Sequence, residues 1–555
     1  MRFSIASLAS FISLMVLYVN ALTIQPTFRD SNFKNIALGV GGGGSSHHNW
    51  VLSIVDLLGQ RGHNISYLTT TEDLRFGKPY HNVRTIDLGP RASFDLVGMM
   101  RQIIPGKDIL KIFPKGMEMM NQDYERDYFS FLKYFKSNMI DVVLCDHFLK
   151  SCVDAATTAK IPYIVTAATE MTKESSAPYI NNKMFTSSDF TTEFQSFSMR
   201  FNNKFIRPWI ALYRFYPYVK LLTTKRRAIG IDAKLESPEE TWKNSLKLVN
   251  SLFGFTPARP IGPLAEFVGP IIPKEYTPLS NDLETYLNLH KRVGYISFGQ
   301  NAVPSDQNIE LILTSLLESL EGGTLDGFLW ATVNSAEFFP QTITTSSGLT
   351  YDIKDMFNHA NPHARLVKWA PQTAVLLHPS VSLFVSHGGL GSWYESMYAG
   401  TPMIMFPFFG DQPGNSLMIE RGGLGGILKY DTTTEEAVEL FKNVTEDKDG
   451  KIRDNVNRMQ ALTQIHSEHG IIRGADLVEE VAYTHKDGKL PHRQSADKRM
   501  SFIKSHNIDL YAALSLIITV ALAMTSKIGL NAYAYFVTTK PEHSKAIKHE
   551  NTKMQ

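Results

Sequence analysis

The feature that most constrains the fold of this chain is a segment of about 47 residues, 369–415, in which short apolar runs alternate with polar, glycine-rich turns. The run 381–385 has the composition of a buried strand, and it leads directly into Ser386, His387, Gly388 and Gly389. Short, fully apolar strands are typical of parallel sheets that helices cover on both faces. The segment therefore predicts an α/β domain whose ligand lies at the carboxyl ends of parallel strands.

A helix is predicted to begin near Ser392, directly after the two glycines. Small residues let backbone N–H groups approach an anion, and the N-terminus of a helix attracts phosphate through its free N–H groups and its dipole. Around this point the segment holds further ordered polar, aromatic and turn-forming residues. They are Trp369, Ala370, Pro371, Gln372, His378, Pro379, Glu395, Gly400, Thr401, Pro402, Gly410, Asp411, Gln412 and Asn415.

These ordered positions resemble the signature segment of the UDP-glycosyltransferases, enzymes that move a sugar from a nucleotide diphosphate onto a small lipophilic acceptor. The similarity runs from about residue 35 to about residue 480. It implies an α/β fold of GT-B architecture, in which two Rossmann-like, doubly wound domains face each other across a cleft. It also implies a UDP-sugar as donor substrate, glucose or glucuronate as the transferred hexose, and a hydroxyl of a sterol, phenol, lipid or xenobiotic as acceptor.

Two series of alternating strands and helices are separated by a proline-rich stretch, because six prolines fall between residues 257 and 278. Proline at this density resists both helix and sheet, as expected of a linker. A chain of 555 residues also exceeds what one hydrophobic core supports. We therefore predict an N-terminal acceptor-binding Rossmann-like domain at 22–256, a linker at 257–290 and a C-terminal UDP-sugar-binding Rossmann-like domain at 291–495.

The first residues are typical of a signal peptide at 1–21. Arg2 precedes an apolar run at 3–19, and the small residues up to Ala21 fit cleavage by a signal peptidase. A retained N-terminal helix is the alternative.

Near the other end, 17 residues at 510–526 carry no charge, and at 1.5 Å per residue they span about 26 Å. This is slightly less than a hydrocarbon core of about 30 Å. A lysine near the interface can snorkel, so we predict a transmembrane helix at 508–530 that can pass Lys527 and extend to residue 537. The basic tail at 538–555 suits the cytosolic face. The signal peptide then orients a single-pass type I membrane protein with lumenal catalytic domains, and the resemblance implies the endoplasmic reticulum.

Two cysteines, Cys145 and Cys152, are too few for a disulfide framework. They lie at a predicted strand end and in the helix after it, where free thiols in the core are expected rather than a bridge. The sequons at Asn64 and Asn443 fit a glycoprotein on the secretory route. Asn443 is the better glycan site, because Asn64 opens a strand that is predicted to be buried.

The resemblance assigns donor binding to the second half of the chain. The indole of Trp369 can stack on a uracil ring, and Gln372 can hydrogen-bond the edge of that ring in both directions. Glu395 lies one turn into the predicted helix, where it can accept hydrogen bonds from ribose hydroxyls. The alternatives are a core position for Trp369 and a solvated helix surface for Glu395.

Small and polar residues are assigned to the diphosphate and the sugar. The residues expected at the diphosphate are Ser297, Gly299, His387, Gly388, Gly389 and Ser392. Asp411 and Gln412 are expected to hold sugar hydroxyls, unless they form an Asx turn before Pro413. Gly391 and Gln300 depart from the family pattern, which often has asparagine and serine at these positions.

Removing the proton of an acceptor hydroxyl needs a base, and a histidine supported by a carboxylate meets this need. His47 follows the first glycine loop and lies sixteen residues before His63, which is the spacing of the family's catalytic histidine. Asp146 ends a predicted strand and matches the family's partner carboxylate. We therefore predict His47 as the base and Asp146 as the residue that orients it, with His48 as the competing base and a structural role for His63.

No metal and no cofactor beyond the UDP-sugar is expected, because a helix dipole and His387 can stabilise the leaving diphosphate. Asp447 and Asp449 imitate a metal-binding carboxylate pair, but the charged residues around them predict a surface loop. A net charge of +2 does not indicate a nucleic-acid partner.

Between residues 194 and 222, aromatic residues alternate with Arg200, Lys204, Arg207 and Arg214. Aromatic and cationic residues at helical spacing are typical of contact with a membrane interface, although helices packed around an acceptor pocket give the same pattern. Five methionines between residues 99 and 120 indicate an adaptable apolar wall or an ordinary core.

Two other functions fit parts of the sequence. Gly39, Gly41 and Gly44 follow a predicted strand and, with Glu72 and Asp73, copy a dinucleotide fingerprint, so a secretory NAD-dependent oxidoreductase is one alternative. Four consecutive glycines make this match easy to reach by chance, and such an enzyme has no place for the C-terminal signature. The other alternative is a catalytically silent membrane protein that binds a nucleotide sugar or a lipophile.

Overall fold

The structure is a computed structural model that describes residues 27–93, 96–101, 110, 113–170, 172–181 and 188–539. The predicted signal peptide and the tail from residue 540 lie outside the described residues. The chain divides into two compact units, Met1–His492 and Arg493–Gln555.

The first unit begins with a sheet built from the N-terminal half of the chain. Its strands are β1 (Asn35–Gly39), β2 (Asn64–Thr69), β3 (Val83–Asp87), β4 (Val142–Asp146), β5 (Tyr163–Ala167), β6 (Lys247–Val249) and β7 (Ala265–Phe267). They lie in the order β3-β2-β1-β4-β5-β6-β7, and all neighbours pair in parallel. Because the strand order reverses at β1 and β4, the loops after these two strands lie side by side at the carboxyl edge.

A second parallel sheet is built from the C-terminal half. Its strands are β8 (Val293–Ser297), β9 (Gly327–Ala331), β12 (Ala364–Val367), β13 (Val381–Ser386), β14 (Met403–Met405) and β15 (Gly425–Ile427). They lie in the order β12-β9-β8-β13-β14-β15, so β8 and β13 form the second reversal point. A small antiparallel hairpin consists of β10 (Thr342–Thr344) and β11 (Thr350–Asp352).

Helices connect the strands and cover the sheets. In the first half they are α1 (Ser45–Gln60), α2 (Leu96–Arg101), α3 (Phe113–Met120), α4 (Tyr124–Ser137), α5 (Lys150–Ala159), α6 (Phe197–Phe201), α7 (Arg207–Ala228) and α8 (Pro238–Thr241). In the second half they are α9 (Asn281–Asn288), α10 (Asp306–Glu321), α11 (Ile353–Phe357), α12 (Gln372–Leu376), α13 (Leu390–Ala399), α14 (Gln412–Arg421), α15 (Thr434–Glu446) and α16 (Lys451–Thr484).

The predicted α/β fold with two Rossmann-like domains is confirmed. Strands β8 and β9 are buried along their whole length, as expected for parallel strands that are covered on both faces. The first sheet also takes in β7, which lies inside the proline-rich stretch 257–290. A three-residue edge strand fits between Pro263 and Pro270, because proline is tolerated at sheet edges and strand ends.

The long helix α16 connects the two domains, since it packs against α13 of the second and α1 of the first. A Cβ on Gly474 would lie 2.4 Å from Ile54 Cδ1, so the two helices approach closely at this glycine. Near the end of α16, Glu479 accepts hydrogen bonds from Arg29, Arg61 and His63. These contacts give His63 the structural role that the sequence predicts.

The prediction of two free core thiols is wrong, because Cys145 and Cys152 form a disulfide bond with a Cα–Cα distance of 5.8 Å. Cys145 is the penultimate residue of β4, and Cys152 lies in the first turn of α5, which begins at Lys150. The tight connection folds the first turn of α5 back over the end of β4. Sequence spacing alone does not show this fold-back.

The second unit contains α17 (Phe502–Ser505) and α18 (Ile508–Thr538). Helix α18 has 31 residues, its most apolar 18-residue stretch has a mean hydropathy of 1.9, and it is long and apolar enough to cross a membrane. At 1.5 Å per residue it measures about 46 Å, which exceeds a hydrocarbon core of about 30 Å. The helix continues past Lys527, as predicted.

Candidate functional site

The carboxyl edge of the first sheet brings the predicted catalytic pair together. Strand β1 ends at Gly39, and a glycine loop leads into α1, which places His47 in the first turn of this helix. The neighbouring strand β4 ends at Asp146. His47 Nδ1 lies 2.8 Å from Asp146 Oδ2, and both side chains are buried.

The surrounding backbone holds both members of this pair. Gly43 has a φ of 84°, which L side chains rarely adopt, and a Cβ there would lie 2.2 Å from His47 Cδ2. The loop therefore needs glycine at this position to pass against the imidazole. On the other side, the backbone N–H of Phe148 donates to Asp146 Oδ1 at 3.0 Å, which leaves Oδ2 for His47.

The electrostatics of the pair favour an imidazolium next to an ionised carboxylate. Burial disfavours the charged form of His47, but the charge of Asp146 and its hydrogen bond outweigh burial and raise the pKa of His47. Burial also acts to raise the pKa of Asp146, yet the charges of His47 and His147 reverse this and hold that pKa well below its usual range. Asp146 is therefore ionised at neutral pH and can stabilise a proton on His47.

His48, the competing candidate base, is committed to other contacts. Its Nδ1 lies 2.6 Å from the Tyr67 hydroxyl, and its Nε2 lies 3.1 Å from the carbonyl oxygen of Gly42. The ring is fully buried and stacks on Phe76. Burial, together with the charge of His47, lowers the pKa of His48 to about 3. Because both ring nitrogens of His48 are used, the geometry favours His47.

His147 is a neighbour that the sequence-based prediction missed. Its ring stacks on His47 with a centroid distance of 5.3 Å, and its Nδ1 lies 3.6 Å from Asp146 Oδ2. Ligand atoms of His47, Asp146 and His147 all lie within 4.8 Å of one another, a spacing at which such groups can hold a small cation. The hydrogen bond between His47 and Asp146 uses the same two side chains, so proton transfer and metal binding are competing uses of this cluster.

The reversal point of the second sheet gathers the residues that are predicted to bind the diphosphate. Strands β8 and β13 are paired neighbours, and Ser297 ends β8. Gly299 follows with a φ of 67°, and a Cβ there would lie 2.9 Å from His387 Cε1. Ser297, Gly299 and His387 therefore meet beside the N-terminus of α13, into which Gly388 and Gly389 lead.

His387 is held as a neutral ring in this arrangement. Burial lowers its pKa to about 4, although a hydrogen bond to the backbone carbonyl of Ser297 opposes the shift. The sequence predicts that His387 stabilises the diphosphate in place of a metal. The single N–H of the neutral ring is used by the Ser297 carbonyl, so His387 can donate to the diphosphate only when a bound anion raises its pKa and the second ring nitrogen gains a proton.

Gln372, Ser392 and Glu395, all predicted donor residues, form one hydrogen-bonded group. The amide nitrogen of Gln372 donates to Ser392 Oγ at 3.1 Å and also to the carboxylate of Glu395. Thr373, which the prediction missed, donates to Glu395 Oε1 at 2.7 Å. Burial raises the pKa of Glu395, and these hydrogen bonds oppose the rise. Two residues of α12 thus orient the carboxylate of Glu395, which is a residue of α13.

Trp369 lies in the turn between β12 and α12, and 59% of its surface is exposed. This exposure excludes the alternative in which Trp369 is a core residue. Trp330 and Trp393 of the same domain are, by contrast, buried. An exposed indole three residues before Gln372 is available to stack on a planar base.

The predicted sugar residues lie at the start of α14. Asn415 donates to Asp411 Oδ2 and to the carbonyl oxygen of Gly388, both at 2.8 Å. It therefore connects the turn before α14 to the glycine turn before α13. Burial raises the pKa of Asp411. The side-chain oxygen of Gln412 accepts hydrogen bonds from two backbone N–H groups of its own loop. Gln412 therefore shapes this loop with its oxygen and has only its amide nitrogen left for a sugar.

The two sheet edges face each other across a cleft. The charge of Asp411 in the second domain helps to raise the pKa of His47 in the first. A Cβ on Gly44 of the first glycine loop would lie 3.3 Å from Gln300 Oε1 of the second domain. The catalytic pair and the predicted sugar residues therefore border the same cleft.

Two buried charges near this cleft escaped the sequence-based prediction. Glu170 follows β5, and its charge acts on Asp411. Glu170 Oε1 accepts a hydrogen bond from Arg259 at 3.0 Å, and both side chains are buried. One residue lies on a loop and the other in the proline-rich stretch, so no local pattern marks either of them.

Comparisons with known proteins agree with this geometry. The sequence profile described as UDP-glucoronosyl and UDP-glucosyl transferase matches residues 127–543. A UDP-glycosyltransferase of Talaromyces amestolkiae is 30% identical over 311 residues, which are 53% of this chain and 58% of that protein. UDP-glycosyltransferase stmC of Aspergillus ustus is 25% identical over 500 residues, or 83% of this chain and 90% of that protein. UDP-glucuronosyltransferase 1A1 of Homo sapiens is 28% identical over 291 residues, or 52% of this chain and 50% of that protein. The matches thus span between half and nine-tenths of these relatives.

Solved structures show the same fold. A UDP-glucosyltransferase from Polygonum tinctorium matches with a TM-score of 0.55 at 16% identity, covering 81% of this chain and 99% of that chain. A UDP-glucose: anthocyanidin 3-O-glucosyltransferase in complex with UDP matches with a TM-score of 0.53 at 18% identity, with the same coverage of 81% and 99%. Because the family profile covers most of the chain and the GT-B fold agrees, this chain belongs to the UDP-glucoronosyl and UDP-glucosyl transferase family and is a glycosyltransferase with a UDP-sugar as donor.

Proposed function

We propose that this protein is an inverting glycosyltransferase that moves a hexose from a UDP-sugar onto a hydroxyl of a small lipophilic acceptor. The observation that carries the proposal is the buried His47–Asp146 pair, which lies across the cleft from the predicted donor residues. A protein that only binds nucleotide sugars has no use for an imidazole whose pKa a buried carboxylate raises. The dinucleotide alternative needs an acidic residue free for a ribose after β2. Asp73 is buried there and pairs with Arg91, and the carboxylate of Glu72 accepts hydrogen bonds from the backbone N–H of Arg91.

In the proposed reaction, His47 takes the proton of the acceptor hydroxyl on Nε2, because Nδ1 is bonded to Asp146. The acceptor oxygen forms a bond to the anomeric carbon as the bond from that carbon to the UDP oxygen breaks. The leaving UDP takes the bonding electrons, and Asp146 stabilises the imidazolium. Attack from the first domain, opposite the nucleotide, inverts the anomeric centre.

The second domain stabilises the leaving diphosphate in this proposal. The backbone N–H groups of Gly388 and Gly389 and the N-terminus of α13 supply donors and the positive end of a helix dipole. His387 takes up a proton as the bound anion raises its pKa and then donates to the diphosphate with its second ring nitrogen, and Ser392 adds a hydroxyl. This set of donors makes a resident metal or a further cofactor unnecessary.

For the transferred sugar we propose a neutral hexose such as glucose rather than glucuronate. The largest charge effects on Asp411 come from Glu170 and His47, and neither is a lysine or an arginine. Arg259 is already bonded to Glu170. The carboxylate of a glucuronate would therefore meet like charge from Asp411 and Glu170.

We further propose a single-pass type I protein of the endoplasmic reticulum, with its catalytic domains in the lumen. Helix α18 supports a membrane span by its length and composition. The Cys145–Cys152 disulfide supports an oxidising compartment, where such bonds persist. Both sequon asparagines, Asn64 and Asn443, are exposed, so both are open to glycosylation, and burial does not favour Asn443 as the sequence-based argument expects.

The test is UDP release by the full-length, detergent-solubilised protein with a panel of UDP-sugars and mixed lipophilic acceptors. We expect acceptor-dependent release that is highest with UDP-glucose, lost in His47→Ala and retained in His466→Ala, which replaces an exposed histidine of α16. The anomeric configuration of the product, read by NMR, should be opposite to that of the donor. Activity that survives in His47→Ala would overturn the assignment of the base. No release with any UDP-sugar would favour the silent binding protein.

A further inference from the structure

The segment between α5 and β6 contains one long, nearly continuous helical stretch. Helix α6 (Phe197–Phe201) passes through a π turn at Asn202–Ile206 into α7 (Arg207–Ala228). At 1.5 Å per residue, the 32 residues from 197 to 228 extend for about 48 Å.

One face of α7 packs against the first domain. The ring of Phe215 lies 6.1 Å from that of Phe113 in α3, and the hydroxyl of Tyr218 accepts a hydrogen bond from Asn121 at 3.2 Å. Farther along, Arg226 Nε donates to Asp154 Oδ2 at 2.8 Å. The residues on the inner face of α7 therefore take part in ordinary packing between helices.

The opposite face carries an exposed aromatic stripe at a spacing of three to four residues. Its members are Phe197, Phe201, Phe205, Trp209, Tyr213 and Tyr216. The rings of Phe201 and Phe205 lie 5.1 Å apart, so neighbours in the stripe contact one another. Trp209 is 71% exposed and Tyr213 is 76% exposed. Side chains of this size and number are not left in water without a partner surface.

The charge around the stripe has a single sign. Residues 194–231 contain eight lysines and arginines and no aspartate or glutamate. Arg200, Lys204, Arg214 and Lys220 are exposed in the same stretch. Tryptophan and tyrosine with flanking cations are the side chains that favour the boundary between lipid headgroups and acyl chains, and the cations attract anionic lipids.

We propose that the exposed face of residues 197–220 binds the surface of a lipid bilayer. The same chain supplies a helix that can span that bilayer, and about 15 residues separate His492 from Ile508, which reach at most about 50 Å. This tether keeps the first unit at a high effective concentration next to the membrane, so a modest affinity of the stripe is sufficient. Net positive charge on the whole stretch disfavours the other candidate occupant, a second copy of the same surface.

The position of the stripe has a consequence that rests on the proposed transferase function. Helix α7 packs on α3, and the terminal methyl of Met120 in α3 lies beside Gly42 of the loop that precedes His47. A lipophilic acceptor dissolved in the bilayer would then reach the cleft from the side of α3 and α7. The membrane contact itself does not depend on catalysis.

The experiment uses the full-length protein in vesicles and a fluorescent label on one introduced cysteine. The two native cysteines are joined in a disulfide, so Tyr213→Cys provides a unique free thiol. Met139→Cys is the matched control, because Met139 is 78% exposed on the same domain and lies at the opposite end of α4 from Asn121, which Tyr218 contacts. Phe201→Cys repeats the measurement at the other end of the stripe.

Lipids that carry a nitroxide near the headgroup should quench the labels at 213 and 201 at least about twofold more than the label at 139, since only a group at the interface meets the quencher. Replacing Arg200, Lys204 and Arg214 by glutamine should weaken the preference for vesicles that contain phosphatidylserine, by about fivefold per residue. His47→Ala should leave quenching unchanged, which separates this proposal from the transferase function. Equal quenching at 213 and 139, or shielding at 213 that depends on protein concentration and not on nitroxide lipid, would overturn the membrane contact.

Discussion

Replacement of Asp146 by asparagine is the sharpest test of the catalytic pair. The asparagine oxygen can still accept the hydrogen bond that the backbone N–H of Phe148 donates to Asp146 Oδ1 at 3.0 Å. The amide nitrogen then takes the place of Oδ2, which lies 2.8 Å from His47 Nδ1. Because this nitrogen donates, Nδ1 must accept, and the ring proton of the neutral imidazole moves to Nε2. Nε2 can then no longer take the proton of an acceptor hydroxyl.

The expected size of the effect follows from the same distance. At 2.8 Å, an imidazolium and a carboxylate attract each other by about 6 kcal/mol at an effective dielectric constant of about 20. Burial of the two charges offsets part of this attraction. A remaining loss of about 3–5 kcal/mol corresponds to a fall in kcat of about 10²–10⁴, which is the range typical of general base catalysis. The KM for the UDP-sugar should change little, because the donor residues lie in the other domain.

The pH profile gives an independent check on the direction in which Asp146 shifts the pKa of His47. His47 must be neutral to act as a base, and its pKa is raised above the ordinary value of 6.5. Wild-type kcat/KM should therefore rise with pH through a midpoint above 6.5. In Asp146→Asn the charge that raises this pKa is gone while burial remains, so the midpoint of the residual activity should move to lower pH.

The assay is UDP release across a pH series, with Asp73→Asn as the control. Asp73 is a buried carboxylate of the same domain, but it pairs with Arg91 instead of His47. The control therefore reports what the loss of a buried carboxylate does by itself. Near-normal kcat in Asp146→Asn, or an acidic limb that stays at the same pH, would refute the reasoning.

Three further predictions concern the donor site, the metal question and the stability of the fold. Trp369→Ala should raise the Kd for UDP by about 5- to 150-fold, because stacking of a base on an aromatic ring contributes about 1–3 kcal/mol; calorimetric titration with UDP checks this, and Trp369→Phe should keep most of the affinity. Chelation with EDTA should leave UDP release unchanged, whereas activity that is lost on chelation and restored by a divalent cation would assign the cluster around His47 to a metal. Glu479→Gln should lower the free energy of unfolding by about 3 kcal/mol, the lower end for a broken buried ion pair, because its partner Arg29 is partly exposed. Burial acts to raise the pKa of Glu479, but Arg29 and the other partners lower it from 4.5 to about 2. The stabilisation should therefore be complete above pH 4.5 and disappear as the pH falls towards 2, which thermal unfolding across this range checks.

Sequence patterns were sufficient to predict the two parallel sheets, and the family resemblance was needed to pair His47 with Asp146. Each of these residues follows a short apolar run, and parallel strands with helical crossovers gather their carboxyl ends at one edge. Sequence patterns placed Ser297 and His387 at the second edge in the same way. The prediction of the fold succeeded because it depends on local periodicity and on the topology that it imposes.

The choice between His47 and His48 needed the tertiary structure. Adjacent residues on a helix point about 100° apart, and the packing of the helix on its sheet decides which of them faces the cleft. Here Tyr67 and Gly42 bind His48, and Asp146 binds His47. Likewise, the oxygen of Gln412 is used by its own loop, which the pattern around Asp411 does not reveal.

The sequence by itself determined which segments form strands, where the chain turns at the carboxyl edges and which helix can cross a membrane, because these properties follow from the residues within each segment. The folded chain alone decided the contacts between segments. The Cys145–Cys152 bond depends on how α5 folds back over β4, and the Glu170–Arg259 pair joins two regions without a motif. Such contacts depend on how distant elements pack against each other, and no local pattern of residues encodes that packing.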